Sequence, residues 1–170
     1  MIYEIKPGDP INHQLPEYAT RVFMAGSIDM GSAKAWASDV IEKLKLAKGL
    51  EHDVIIMNPR RDDWDGSWTQ EQANPQFNEQ VNWELSNIEE SDIVFFHILP
   101  DSKSPITLME LGFCAGNYRI NDVIVCCPEG FYRKGNVDII STRSRFQQFE
   151  TLDSAIGALI TRININQKTP

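Results

Sequence analysis

Short apolar runs alternate along the chain with segments whose apolar residues follow the period of a helix. Four runs, Val22–Ala25, Val54–Met57, Ile93–Leu99 and Val123–Cys127, are apolar almost throughout, which is typical of strands that a parallel sheet buries on both faces. A fifth short run, Val137–Ile140, is predicted as one further strand. The pattern therefore predicts about five strands.

The segments between these runs predict helices. Apolar residues recur there every three or four positions, as on one face of a helix, over residues 32–48, 75–88, 106–118 and 152–163. The pair Asn74-Pro75 opens the second helix, where the missing N–H of proline costs least. Because strands alternate with helices, we expect an α/β fold with a doubly wound (flavodoxin/Rossmann-like) parallel sheet flanked by helices. We expect a single domain over residues 1–170, with an irregular lead-in over residues 1–19 and a tail over residues 164–170.

Composition and charge narrow the class of partner. The net charge of −8 argues against a nucleic-acid polymer, because binding one depends on neutralising phosphates. No apolar run approaches the roughly 18 residues that span a bilayer, and the N-terminus lacks the pattern of a signal peptide. Cys114, Cys126 and Cys127 show no metal-ligand spacing, so buried free thiols in a reducing cytoplasm are expected. The aspartates of residues 62–65 do not match a calcium-binding loop, and no metal site is predicted.

The predicted architecture locates a site before any motif is considered. In open parallel sheets, ligands bind beyond the carboxyl ends of the strands. Gly26 and Ser27 follow the first apolar run and could offer backbone N–H groups to a ligand. The other strand ends that meet this edge are residues 58–61, residues 100–104 and residues 128–129.

One acidic residue interrupts an otherwise apolar helix. In the segment ITLMELGFCAG, Glu110 is the only charged residue, so its carboxyl group is predicted to be buried. A buried carboxylate is costly, and it is therefore paired, protonated or functional. The alternative to a functional role is that Glu110 caps a neighbouring helix or pairs with Arg60 or Arg61.

Asp92 is the second candidate carboxyl group. It begins the third strand, where an aspartate is often only a turn residue. Two carboxyl groups in different environments are what glycosyl chemistry needs, because one attacks the anomeric carbon while the leaving group is protonated. A nucleobase leaves readily once it is protonated, so one well-placed acid suffices.

The polar segment over residues 60–74 is long for a compact domain, and loops of this length often bind ligands. Trp64 and Trp68 could stack on a base, while Arg60 and Arg61 could meet a phosphate or a carboxylate. The alternative is a solvated acidic loop whose tryptophans pack underneath it.

Three sequence pieces together resemble the nucleoside 2-deoxyribosyltransferase family. They are VFMAGSI, at the first strand, WELSNIEESDIVFF, at the third strand, and SPITLMELGFCAG, whose MELGF core is the most distinctive. With the later GNVDII segment, the resemblance covers roughly residues 20–142. It implies an enzyme that exchanges the base of a 2′-deoxyribonucleoside through a covalent glycosyl–glutamate intermediate. Its partners would be a nucleoside or nucleotide and a free nucleobase, and no cofactor is implied.

The resemblance also implies roles for individual residues. Glu110 matches the family's nucleophile, and Asp92 matches the aspartate that interacts with the base and assists its departure. Glu84 occupies a position where relatives usually have aspartate. Asn136 lies near the position from which relatives donate an asparagine to a neighbouring subunit's site. The resemblance therefore implies a homo-oligomer, at least a dimer.

The sequence departs from the family pattern at Ser104, six residues before Glu110. The transferases typically have an aspartate there that holds the sugar 5′-hydroxyl, whereas relatives that hydrolyse nucleoside 5′-monophosphates have serine. A carboxylate would repel a phosphate, while a hydroxyl can donate to it, and Arg60 and Arg61 could supply countercharge. Alternatively, Asp101 bends into the site and binds the 5′-hydroxyl. Hydrolysis of nucleoside 5′-monophosphates and a non-enzymatic nucleotide-binding module therefore stay open beside the transferase.

Overall fold

The computed structural model describes residues 1–9, 15–27, 36–50, 52–61, 65–117, 120 and 122–166. Within these ranges, six strands form one sheet and five helices pack against it. The strands are β1 (Ile2–Ile5), β2 (Thr20–Gly26), β3 (Val54–Met57), β4 (Ile93–His97), β5 (Val123–Cys126) and β6 (Gln147–Phe149). The helices are α1 (Trp36–Leu46), α2 (Pro75–Glu90), α3 (Pro105–Gly116), α4 (Lys134–Ser144) and α5 (Leu152–Ile165).

All strand pairs are parallel, and the strand order is β1-β3-β2-β4-β5-β6. The chain moves outward from β2 to one side of the sheet and from β4 to the other. The point between β2 and β4 is therefore the topological switch, where ligands bind in folds of this class. The predicted doubly wound α/β fold is confirmed, with six strands rather than about five.

Alternation along the strands divides the core into two layers, since successive side chains point to opposite faces. On one face, Phe23 and Phe96 pack with residues from α2, α3 and α4. On the other face, Met24 and Phe95 pack with α1 and α5. The helices α2 and α3 thus lie on the same side of the sheet, and side chains from both can meet there.

Three predictions about elements were wrong. Residues 137–140 belong to α4 rather than to a strand: Val137 is buried and Ile139 is 71% exposed, as expected for a helix with one buried face. The lead-in over residues 1–19 contains β1, which pairs with β3. β6 was not predicted, because its residues are only partly buried. The two missed strands lie at the sheet edges, where the apolar signal is weak.

The predicted start of α2 is confirmed. Asn74 is the N-cap, and its side chain accepts hydrogen bonds from the backbone N–H groups of Gln76 and Phe77, both at 3.1 Å. Pro75 occupies the first turn, where no backbone donor is needed. The α3 helix begins at Pro105 and ends at Gly116, close to the predicted bounds. The predicted start of α1 near residue 32 lies outside the described residues.

Candidate active site

Glu110 lies on the face of α3 that packs against the sheet. Its side chain is 6% exposed, and Thr107, Leu111 and Cys114 are buried on the same helix. Burial, with a smaller contribution from the charge of Glu84, raises the pKa of the Glu110 carboxyl group to about 8. An arginine partner would lower this pKa instead. The structure therefore favours a protonated carboxyl group at neutral pH over a buried ion pair.

Glu84 is the second carboxyl group of this cluster. It lies half-buried on α2 and accepts a hydrogen bond from Gln80 Nε2 at 2.7 Å. Burial raises the pKa of the Glu84 carboxyl group, and the hydrogen bond from Gln80 opposes that rise. Because like charges disfavour one another, the charge of Glu84 contributes to the raised pKa of the Glu110 carboxyl group. Such a pair can provide one ionised and one protonated carboxyl group at the same time.

Three buried serines lie at the switch point of the sheet. Ser104 Oγ is 2.5 Å from Ser27 Oγ and 2.7 Å from Ser102 Oγ. Ser102 Oγ also accepts from the backbone N–H of Ser104 at 3.1 Å, and Ser27 Oγ accepts from that of Leu99 at 2.9 Å. We call Ser27, Ser102 and Ser104 the serine cluster. It brings the ends of β2 and β4 together at the edge where α3 begins.

Ser104 has a backbone conformation that serine rarely adopts. Its φ of 45° and ψ of 47° lie in the left-handed region, which costs a residue with a side chain about 1–2 kcal/mol. It is the N-cap of α3, yet its hydroxyl makes no capping hydrogen bond to that helix. The Ser104 hydroxyl instead joins the serine cluster, so the positive end of the α3 dipole is not covered by this side chain.

Asp92 lies at the amino end of β4. Its Oδ2 accepts from the backbone N–H of Arg21 at 2.8 Å, and its own N–H donates to Arg21 O at 2.9 Å. The length of β4 separates this position from the serine cluster by about 16 Å along the strand. The structure thus places Asp92 at the amino end of β4, opposite the end of the sheet where the serine cluster lies.

The remaining predicted site residues lie around the carboxyl edge. Arg60 and Arg61 follow β3 and are half-buried, and the Arg61 guanidinium lies 5.3 Å from the ring centroid of Trp68. Asp101 is exposed in the turn after β4, and Asn136 is exposed in the first turn of α4. Trp64 lies outside the described residues.

The description of the family whose sequence model matches this chain is "nucleoside 2-deoxyribosyltransferase like", and the match covers residues 19–131. That is more than half of the chain. The chain belongs to the nucleoside 2-deoxyribosyltransferase-like family. No curated protein matches it significantly. The matched region contains Ser27, Glu84, Ser104 and Glu110, and it ends before Asn136.

Membership of this family indicates a nucleoside-modifying enzyme, so its ligand is a small molecule of the nucleoside class. None of the helices in the described ranges has the length and apolarity that crossing a bilayer requires. The suspected family is therefore confirmed, and the particular reaction is a separate question.

Sequence reasoning missed Gln80 and Ser102. Gln80 is 4% exposed and lies one helical turn before Glu84, so the two side chains are neighbours on α2. This spacing, with the polar neighbour Glu84 already a candidate, was the available signal for Gln80. Ser102 is two residues before Ser104, and that repeat of serines is a weak signal by itself.

Gly26 permits the close approach of three parts of the site in this nucleoside 2-deoxyribosyltransferase-like protein. A Cβ atom at this position would lie 2.4 Å from His97 O and 2.5 Å from the Trp36 ring. The Trp36 ring in turn donates from Nε1 to Ser27 O at 3.0 Å. Any side chain at position 26 would therefore move β4, Trp36 or both.

We expect Gly26→Ala to lower the free energy of unfolding by roughly 1–3 kcal/mol, because the added methyl group meets backbone that cannot move easily. Thermal denaturation followed by circular dichroism measures this change. Gly135→Ala is the matched control, since a Cβ there meets nothing within 4 Å and alanine favours a helix over glycine. Equal stability of the Gly26→Ala variant and the wild type would contradict the packing argument.

Proposed function

We propose that the protein is a nucleoside 2-deoxyribosyltransferase that exchanges the base of a 2′-deoxyribonucleoside through a covalent intermediate on Glu110. The observation that carries the proposal is the buried Glu110 side chain on α3, whose pKa is raised by its burial and by the charge of the half-buried Glu84. Retaining glycosyl chemistry requires a carboxylate that attacks the anomeric carbon and an acid that protonates the leaving group. A coupled pair that shares a proton provides both from neighbouring helices.

The steps balance as two displacements at the sugar. The shared proton moves from Glu110 to Glu84, the ionised Glu110 carboxylate forms a bond to C1′ while the C1′–N bond breaks, and the base leaves with its electron pair and takes the proton from Glu84. We assign Glu84, rather than Asp92, to the second carboxyl role, because Asp92 bonds the backbone of Arg21 at the far edge of the sheet. A second base then attacks C1′ and releases Glu110, which completes the exchange.

The serine cluster supports binding of the sugar at its 5′ end. It lies at the switch point of the sheet, beside the start of the helix that carries Glu110. Hydroxyl groups donate and accept, so they can bind a 5′-hydroxyl. Asp101, exposed in the adjoining turn, is the nearest residue along the chain that could add a carboxylate to this contact.

The second candidate is hydrolysis of the N-glycosidic bond of nucleoside 5′-monophosphates. The buried serine cluster favours it. Three hydroxyl groups beside the amino end of α3 can donate to a phosphate, whereas a carboxylate side chain at the same place would repel it. Arg60 and Arg61 follow β3 at the same edge of the sheet and could add countercharge. In this reaction water, instead of a base, releases the sugar from Glu110.

Product analysis separates the two reactions. The protein is incubated with deoxyinosine, with and without adenine, and in parallel with deoxynucleoside 5′-monophosphates, and products are separated by chromatography. Deoxyadenosine formed only with adenine supports the transferase. Free base released from monophosphates but not from nucleosides supports the hydrolase. A ligand that binds without turnover would contradict both and favour a nucleotide-binding module.

We further propose that two copies of the chain associate through α3 and α4. Four apolar side chains on or beside these helices are exposed by half or more, and we call them the α3–α4 face: Ile106, Met109, Tyr132 and Ile139. Tyr132 OH donates to Lys103 O at 3.2 Å, which holds this ring beside the start of α3. Asn136 lies on the same helix as Ile139, so a neighbour docked here could present Asn136 near the site.

We expect the wild type to be a dimer or larger by light scattering, and Met109→Glu to be monomeric, because a charge at the centre of an apolar contact is costly to desolvate. Leu46→Glu is the control, since Leu46 is 79% exposed on α1, on the other face of the sheet. This variant should keep the wild-type mass. A monomeric wild type at micromolar concentration would overturn the proposed association.

A further inference from the structure

Gln80 lies where α2 meets the end of β3. Its side chain is 4% exposed, and Nε2 donates to Pro59 O at 2.9 Å and to Glu84 Oε1 at 2.7 Å. The Pro59 carbonyl and an ionised Glu84 carboxylate are both acceptors only. The amide can therefore face them only with its NH₂ group, which fixes its orientation. Among the described residues, Oε1 of Gln80 has no hydrogen-bond partner.

The hydrogen bond from Gln80 acts on the charge of Glu84. A donor to a carboxylate favours its ionised form and so lowers its pKa. The titratable group that faces Glu84 from α3 is Glu110, with the Cys114 thiol one turn further along that helix. Because the two carboxyl groups are coupled, they lose their protons in two steps that belong to the pair. A donor to either group moves the first step to lower pH.

We propose that Gln80 is a positioning residue that favours loss of the first proton from the pair of Glu84 and Glu110, so that the pair carries one proton rather than two at neutral pH. The inference rests on the proposed function, because the reaction needs one ionised and one protonated carboxyl group. Gln80 acts through Glu84 and does not contact the reacting atoms. Its second hydrogen bond, to Pro59 O, ties the segment that carries Arg60 and Arg61 to the carboxyl pair.

A purely structural role is the competing explanation. In that case Gln80 only satisfies the Pro59 carbonyl, and its removal would loosen the contact between α2 and the end of β3 without a specific effect on the carboxyl pair. The two explanations differ in what a titration measures. A positioning role moves the first deprotonation of the pair, and this movement requires the Glu84 carboxyl group.

The test is a titration of the carboxyl groups in the absence of substrate. Gln80→Met keeps the length of the side chain and removes the donor, and Gln76→Met makes the same change at an exposed position one turn earlier on α2. Carbon NMR of protein labelled at the glutamate carboxyl carbons follows the titration of the pair. We expect the first step to move to higher pH in Gln80→Met and to stay unchanged in Gln76→Met. An unchanged first step in the folded Gln80→Met variant overturns the inference.

A double-mutant cycle with Glu84→Gln separates positioning from loosening. In the Glu84→Gln background, Gln80→Met should leave the titration of Glu110 unchanged, because the group on which Gln80 acts has been removed. An equal shift in both backgrounds would mean that Gln80→Met acts by loosening the structure, and would overturn the inference. If Gln80→Met does not fold, Gln80→Leu replaces it, and the same upward shift is expected because leucine also lacks the donor.

Kinetics adds a readout tied to the proposed function. If the wild type exchanges or hydrolyses nucleosides, the acidic limb of its pH–rate profile should move to higher pH in Gln80→Met. The rate on the acidic side then falls by about tenfold for each unit by which the limb moves, while KM stays close to the wild-type value. A wild type that turns over no nucleoside or nucleotide defeats the proposed function, and the titration still decides the role of Gln80.

Discussion

Glu110→Gln is expected to remove turnover by several orders of magnitude while ligand binding and the fold are retained. Gln has the shape of a protonated glutamate, which is the form that burial favours at this position, so the packing around α3 is preserved. An amide cannot form the glycosyl ester, and therefore the covalent route is lost. The measurements are initial rates of base exchange or hydrolysis, with calorimetric binding of the same nucleoside.

Glu79→Gln is the control for this variant, because Glu79 is an exposed glutamate on α2 and should keep wild-type rates. Intact-mass analysis after acid quench adds a direct readout: the wild type should gain the mass of a deoxyribosyl group, and Glu110→Gln should not. A Glu110→Gln variant that turns over substrate at the wild-type rate would exclude Glu110 as the nucleophile.

The same substitution should change the dependence of stability on pH. A folded-state pKa of about 8 for Glu110 lies above the ordinary value for glutamate, so the folded protein binds this proton more tightly than the unfolded chain does. The stability that this proton contributes is fully present below the unfolded pKa and is lost as the pH rises through about 8. Above that pH, Glu110→Gln should be more stable than the wild type by a few kcal/mol, measured by urea denaturation; an identical pH dependence in both proteins would contradict the raised pKa.

The predictable parts of this fold are those whose signal is local. The strands β2 to β5 are buried on both faces, and each appears in the sequence as a continuous apolar run. β1 and β6 lie at the edges, and their mixed residues carry no such signal. Residues 137–140 are β-branched at three of four positions, which favours a strand, but packing of Val137 against the core holds them in α4. Tertiary contacts there override local preference.

The candidate site likewise contains residues that the sequence indicates locally and residues whose roles depend on tertiary packing. Glu110 was predicted from the sequence because one charge in an apolar helix is visible without any structure. The proposed partner, Glu84, could not be chosen over Asp92 from the sequence alone, because that choice depends on where α2 and α3 lie on the sheet. The buried residues of α2 are the apolar Ile88 and the polar Gln80, and the apolar pattern alone gives no sign of the second. Asp92 stood out in the sequence, yet its place before β4 is explained by its bonds to the Arg21 backbone.

A comparison of Glu84→Gln with Asp92→Asn tests the proposal that Glu84, rather than Asp92, assists departure of the base. We expect Glu84→Gln to lower turnover by roughly a hundredfold to ten-thousandfold, the range lost with a general acid. It should also lower the pKa of Glu110 towards its ordinary value, because the like charge that helps to raise it is removed. The variant should therefore bind ligand and fold normally, with its acidic limb at lower pH than that of the wild type.

Asp92→Asn should instead lower stability and leave turnover nearly unchanged. Its amide oxygen can still accept from the Arg21 backbone, although a neutral acceptor is weaker than a carboxylate. We therefore expect a modest loss of stability, about 1 kcal/mol, with turnover within a few-fold of the wild type. Rates and thermal unfolding measured on the two variants side by side decide between the carboxyl groups. If Asp92→Asn lost turnover at unchanged stability while Glu84→Gln kept it, Asp92 would be the residue that assists the leaving base, and the pair of Glu84 with Glu110 would be structural.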